Sequence, residues 1–196
     1  MKKQKICIIG GSLTGLATAI SLSRLNCNID LICGNFNGKN GSSRTIAVSD
    51  SNFNFLKKLN ISKSIDKEFW PCSGMKLYSE TESDKFSEIF VMNNESAEKK
   101  ILYMVENMKI MHLMLSKIKK IQSISIKKNE DVSEIKTSGL FKSIKINNKD
   151  HKYNLVIVCS GNNSHLVKNI FKDRFIKKTY NEESAVTIIK HNYLKN

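Results

Sequence analysis

Residues 5 to 25 read KICIIGGSLTGLATAISLSRL. A short apolar run from Lys5 to Ile9 meets two glycines, and an apolar pattern at helical spacing follows. That is the order strand, tight turn, helix. In a βαβ unit of the dinucleotide-binding kind, the first glycine makes the turn, the second lets a pyrophosphate approach, and the third lets the helix pack closely on the strand. Gly10 fits the first role and Gly15 the third. The middle position is Ser12, with Leu13 beside it in the turn. The Ser12 Cβ narrows the space for a phosphate, while its hydroxyl offsets part of that loss by offering a hydrogen bond to an anion at a helix N-terminus.

The second strand is expected at NIDLIC, residues 28 to 33, which ends 18 residues past Gly15. At that distance an acid normally binds the ribose hydroxyls. Here the position is Cys33, followed by Gly34 and Asn35. Two readings therefore stand side by side: a nucleotide site with an altered middle and end, or a βαβ unit that has stopped binding nucleotides.

The chain has 196 residues, 40% hydrophobic and 26% charged, with nine Gly and one Pro, which excludes collagen-like and disordered classes and leaves a globular α/β or α+β domain. No apolar run approaches the roughly 18 to 20 residues of a bilayer span, so neither a transmembrane helix nor a signal peptide is expected. Lys and Arg number 32 against 18 Asp and Glu, a net charge of +14. Only Arg24, Arg44 and Arg174 are arginines, and the lysines are scattered. Base and phosphate readers favour the forked guanidinium, so the charge reads as a solvated lysine coat without a nucleic-acid partner. Five cysteines without CxxC or Cys/His spacing read as reduced thiols in a cytoplasmic protein, with no metal site. The four histidines, His112, His151, His165 and His191, lie far apart, so no catalytic residue is assigned. Met104, Met108, Met111 and Met114 fall at helical spacing and read as core filler.

Strands are expected near 5–9, 29–33, 74–80, 86–92, 121–127, 132–137, 140–146, 153–159 and 184–190, and helices near 14–26, 50–59, 107–119 and 163–171.

Beyond the turn come SSRTIAVSDSNFNFLKKLNI from residue 42, FWPCSGMKLYSE from 69, ILYMVENMKIMHLMLSKI from 101, YNLVIVCSGNNSHLVK from 153 and YNEESAVTIIKH from 180. In this order the segments resemble the ubiquinone-biosynthesis hydroxylases, FAD-dependent aromatic monooxygenases of the para-hydroxybenzoate hydroxylase fold. The resemblance implies a Rossmann-like FAD-binding domain with a parallel sheet over 1–68 and 100–172. It also implies an incomplete second β-sheet of the substrate domain over 70–98 and 174–196. It places Arg44 near the flavin pyrophosphate, Asn107 near the ribityl chain or phosphate, and Gly161, with Asn163 and Ser164, in a second glycine segment. As plain residues, Arg44 also suits a surface ion pair and Asn107 a helix cap. Ser160 stands where that family has Asp, and the family's Gly-Asp segment, whose acid holds the ribityl chain, falls beyond residue 196.

FAD is accordingly expected to bind weakly, with NAD(P)H as transient electron donor by resemblance, and the chain alone is expected to be catalytically incomplete. The alternatives are a non-catalytic scaffold descended from such a hydroxylase, or one half of a split enzyme completed by a C-terminal chain. A quinone-biosynthesis complex, a homo-oligomer through the open sheet edge near YLKN, and peripheral contact with the inner membrane are the partners this picture implies.

Overall fold

The computed structural model describes residues 3–34, 45–63, 65–80, 86–93, 100–130, 132–161, 164–171, 178 and 185. In chain order the elements begin β1 (Gln4–Ile9), α1 (Leu13–Leu22), β2 (Cys27–Cys33), β3 (Thr45–Ser49), α2 (Asp50–Lys58) and α3 (Ile65–Glu68). They continue β4 (Trp70–Cys72), β5 (Gly74–Glu80), β6 (Phe86–Asn93), β7 (Leu102–Glu106) and α4 (Asn107–Ile118). The last are β8 (Ile124–Lys128), β9 (Val132–Ser138), β10 (Phe141–Ile146), β11 (Lys149–Tyr153), β12 (Leu155–Val158) and α5 (His165–Phe171). No helix among the described residues is long and apolar enough to cross a membrane.

The chain forms two compact units, Met1–Gly41 with Met111–Ala185, and Ser42–Ile110 with Val186–Asn196. These boundaries differ from the segments expected from sequence, since 42–68 and 100–110 cluster with 70–98. Apart from residues 178 and 185, the expected sheet over 174–196 and the strand at 184–190 lie outside the described residues.

The first unit is a mixed α/β structure built on a four-stranded parallel sheet of order β12-β1-β2-β8. Its central strands carry almost unbroken apolar runs, Ile6 to Ile9 in β1 and Leu31 to Cys33 in β2, all buried. Such runs suit strands covered on both faces. Helix α1 buries Gly15, Leu16, Ala19 and Ile20, one stripe at helical spacing. A three-stranded antiparallel sheet, β11-β10-β9, supplies Val132, Ile144, Ile146 and Tyr153 to a core shared with Cys7, Ile9 and Ile32 of the parallel sheet and Leu166 of α5. The β10–β11 hairpin turns at Asn147 and Asn148, both at positive φ (46° and 63°), a pair of residues that tolerates the left-handed region.

Of the strand expected at 153–159, Leu155–Val158 form β12, while Tyr153 ends β11, a strand over Lys149–Tyr153 in a different sheet that the sequence does not announce. Asn154 is the switch: its backbone N–H donates to the Lys5 carbonyl at 2.8 Å and its side-chain oxygen accepts the Lys5 N–H at 2.8 Å. Tyr153, just before it, donates its buried hydroxyl to Asp30 Oδ2 at 2.8 Å, and Lys5 Nζ lies 3.4 Å from the same oxygen. Burial first, and then the Asp30 carboxylate, push the Tyr153 phenol well above its usual range.

The second unit holds an antiparallel sheet of order β3-β7-β4 and the hairpin β5–β6. Ser49 caps α2 by accepting the Asn52 N–H. Phe53 of α2 stacks on Tyr103 of β7 at 4.0 Å and meets Phe69 at 5.0 Å. Strands β3, β4 and β7 are not among those expected from the sequence pattern. Met104 therefore lies on a strand, opposite Ala47 and Trp70, and not on the helical stripe; of the four methionines, Met114 is the fully buried one.

Candidate nucleotide-binding site

The β1–α1 turn is held against the carboxyl end of β12. Gly10 donates its N–H to the Ile32 carbonyl at 2.8 Å, and Cys159 donates to the Ile9 carbonyl at 2.7 Å. Gly10 has φ +124°, and a Cβ there would lie 2.5 Å from the Cys159 carbonyl oxygen and 2.9 Å from the Ser160 nitrogen. At Gly15 a Cβ would overlap the Gly10 carbonyl oxygen and sit 3.5 Å from the Cys159 Cβ. Backbone therefore meets backbone at both positions, and no side chain larger than hydrogen fits.

Ser12 is the N-cap of α1, with φ −72° and ψ 170°. Its hydroxyl donates to the Cys159 carbonyl at 3.0 Å and accepts a long bond from the Gly15 N–H at 3.5 Å. One amide of the first turn is thereby used inside the protein. The amides of Leu13 and Thr14 still lack intrahelical acceptors, as the first amides of any α-helix do, and present the positive end of the helix dipole. Ser12→Ala is expected to cost about 1 kcal/mol and to lower the melting temperature by about 2 to 4 °C, whereas Ser12→Gly costs only a few tenths. Thermal denaturation followed by circular dichroism checks this, and equal losses for both variants would show that capping is not what Ser12 contributes.

Beyond β12, Gly161 turns the chain at φ +78° with open space where a Cβ would be. Ser164 donates its N–H to the Gly161 carbonyl at 3.2 Å, which leads into α5. Ser160 Oγ is buried with no hydrogen-bond partner among the described residues. Such an orphan costs about 1 to 3 kcal/mol of desolvation unless something bonds to it.

These elements border a cavity of about 430 Å³ at the carboxyl ends of the parallel strands. Its floor is Ile9, Gly10, Ile32 and Gly34; one wall is Glu130, Val132 and Ser133, and the other is Ser160, Ser164, His165, Leu166 and Asn169. In open α/β sheets, ligands occupy this end. The floor is apolar and the walls are mostly polar, and the volume lies within the ~300 to 1,000 Å³ usual for a small-molecule site.

Of the residues singled out in the sequence, Gly10, Ser12, Leu13 and Gly15 come together at the turn, and Gly161 follows the Cys159–Ser160 segment that touches it. Asn107 is the first residue of α4 and belongs to the second compact unit. Arg44 and Asn163 lie outside the described residues. Cys33 is buried at the end of β2, and burial pushes its thiol up to about 11, with Lys128 pulling the other way. It offers no carboxylate to a ribose. Glu130, Ser133 and Asn169 were not singled out. The signal for Glu130 was its place, two residues beyond the third parallel strand.

The structure is similar to solved monooxygenases. It matches p-nitrophenol 4-monooxygenase PnpA from Pseudomonas putida DLL-E4 with a TM-score of 0.67 at 16% identity, over 88% of this chain and 44% of that one. It matches the flavin-dependent monooxygenase PieE, in complex with FAD and substrate, with a TM-score of 0.68 at 12% identity, over 86% and 32%. CtdE, also in complex with FAD and a substrate, gives 0.65 at 16% identity, over 81% and 38%. The chain shares the fold of flavin-dependent monooxygenases. It spans less than half the length of these structures. No protein-family profile matches the chain, and no curated protein matches it significantly.

The residues present fit the ADP end of FAD at the turn, where Gly10 and Gly15 let the backbone fold tightly beneath a helix N-terminus, and at Ser160, whose hydroxyl has no partner among the described residues. They do not fit it at position 33, where the acid is missing. Among the described residues, no group of three or more His, Cys, Asp or Glu is close enough to hold a metal ion.

Proposed function

We propose that the chain is the FAD-binding part of a flavin-dependent aromatic hydroxylase of the ubiquinone-biosynthesis type. The observation that carries this reading is the packing of Gly10 and Gly15 against the end of β12, beside a cavity at the carboxyl ends of the parallel strands. The shared monooxygenase fold supports it. The amides of Leu13 and Thr14 hold the pyrophosphate by hydrogen bonds and dipole. The sequence resemblance assigns Arg44, a permanent charge, to the same anion, and Asn107 and Gly161 to the flavin. When bound, the flavin supplies the redox chemistry of ring hydroxylation, with NAD(P)H as electron donor and dioxygen as oxidant. The protein's part is to bind, orient and exclude water. A quinone-biosynthesis assembly at the cytoplasmic face of the inner membrane is the setting that suits such a substrate.

A second reading, a non-catalytic partner descended from such an enzyme, is favoured by Cys33 and by the internal bonds of the Ser12 hydroxyl. Titration of FAD and ADP into the purified chain separates the two. The hydroxylase reading expects saturable binding of both, in mutual competition, with FAD lost on desalting. Ser12→Gly then tightens both by freeing the Gly15 amide, and Arg44→Ala weakens both. No saturable binding of either ligand at millimolar concentration leaves only the partner reading.

A further inference from the structure

Beside Cys33, where the end of β2 carries no acid, the next parallel strand leads to a carboxylate that lines the same cavity. Strand β8 pairs with β2 in the register Cys33↔Lys128. The chain then reverses at Asn129, whose φ of +57° lies in the left-handed region that Asn tolerates. This fold-back lays Glu130 over the end of β2, where its N–H donates to the Cys33 carbonyl at 3.4 Å. Glu130 thus borders the same cavity as Gly10, Ile32 and Gly34. No hydrogen bond or ion pair engages its carboxylate among the described residues.

We infer that Glu130 accepts the two ribose hydroxyls of an adenine nucleotide bound in this cavity, in place of an acid at position 33. The inference rests on the nucleotide-binding reading above. A vicinal diol presents two O–H donors at a spacing that the two oxygens of one carboxylate match, and bonds to an ionised acceptor are about twice as strong as neutral ones. Cys33 has no oxygen to offer, and Ser133, Ser160 and Asn169 are neutral. Among the described residues that line the cavity, Glu130 is the one with a carboxylate. It is anchored through its backbone, which leaves the side chain to the ligand.

The test uses ADP, 2′,3′-dideoxyADP and inorganic pyrophosphate as probes, titrated calorimetrically into the full chain and into Glu130→Gln. The wild type is expected to bind ADP about tenfold or more tightly than dideoxyADP. In Glu130→Gln the ADP affinity falls to the dideoxyADP level while pyrophosphate affinity stays the same, at an unchanged melting temperature. The position next to Cys33 allows a gain-of-function arm. A Cβ at Gly34 meets nothing within 4 Å, so Gly34→Asp is accommodated, and in the Glu130→Gln background it is expected to restore the preference for ADP. A Glu130→Gln variant that keeps the wild-type preference for ADP, or a wild type that binds both nucleotides equally, overturns the role of Glu130 and leaves the nucleotide reading standing. A wild type that binds none of the three probes overturns both.

Discussion

Gly15→Ala is expected to lower the melting temperature by about 10 °C or more, or to prevent folding. In an ordinary helix interior the same change stabilises by up to about 1 kcal/mol. Here the added Cβ would overlap the Gly10 carbonyl oxygen, a backbone atom. Neither partner can yield. Gly10 is fixed by its bond to the Ile32 carbonyl and by its contact with Cys159, and α1 is fixed by the burial of Leu16, Ala19 and Ile20. Overpacking against movable side chains costs about 1 to 3 kcal/mol, and here backbone must move, so about 3 to 5 kcal/mol is the expected loss. At about 2 to 4 °C per kcal/mol for a chain of this size, that is a shift of about 6 to 20 °C, centred above 10 °C. Gly34→Ala is the control, because its Cβ meets nothing within 4 Å and should change little. A Gly15→Ala variant that melts with the wild type would mean that α1 does not pack on β1 as described.

The second large effect is alkaline destabilisation between pH 9 and 11. Cys7 and Cys33 are 0% and 1% exposed. Burial, aided at Cys7 by Asp30 and opposed by Lys5, pushes its thiol up to about 12, and burial against Lys128 pushes Cys33 up to about 11, both from 9.0. Below pH 9 both thiols are protonated in folded and unfolded chains alike, and stability is at its full value. Above pH 9 the unfolded chain releases protons that the folded chain keeps, so the unfolded state binds fewer protons and stability falls as pH rises. Each thiol contributes up to ~1.4 kcal/mol per pH unit, so at pH 10.5 the two remove about 4 kcal/mol. Lysine deprotonation relieves the net charge of +14 and works in the opposite direction. Urea midpoints at pH 8 and pH 10.5, for the wild type and for Cys7→Ala/Cys33→Ala, isolate the thiols. The wild type should lose most of its midpoint and the variant much less. An equal loss in both would assign the effect to other groups.

Local chemistry was legible in the sequence, and long-range pairing was not. The strand-turn-helix at residues 5 to 25 announces itself because its apolar run, glycines and helical stripe are contiguous. Strands β3 and β7 are five residues each and lack a clear alternation in burial, so they read as a loop and as a helix approach. Tyr153 and Leu155 look like one strand in sequence, and only the bonds of Asn154 to Lys5 divide them. At the site, Gly10 and Gly15 were found by spacing. The Ser12 partner, Cys159, is 147 residues away, and the neighbourhood of Glu130 follows from the β2–β8 register. Neither is written in any local window.

The order β12-β1-β2-β8 also sets a timetable for the nascent chain. β1 is made before its sheet neighbours, yet β12 is paired to it only from Leu155 onward, after residues 42–110 of the second unit and the antiparallel sheet have been synthesised. At about 5 to 20 residues per second, the open side of β1 waits roughly 8 to 30 s for its partner. Throughout that interval an apolar, parallel-pairing strand presents unpaired amides and carbonyls beside the ribosome. The exposure to misassembly is therefore concentrated at the open edge of β1, and it ends only when β12 emerges to pair with it.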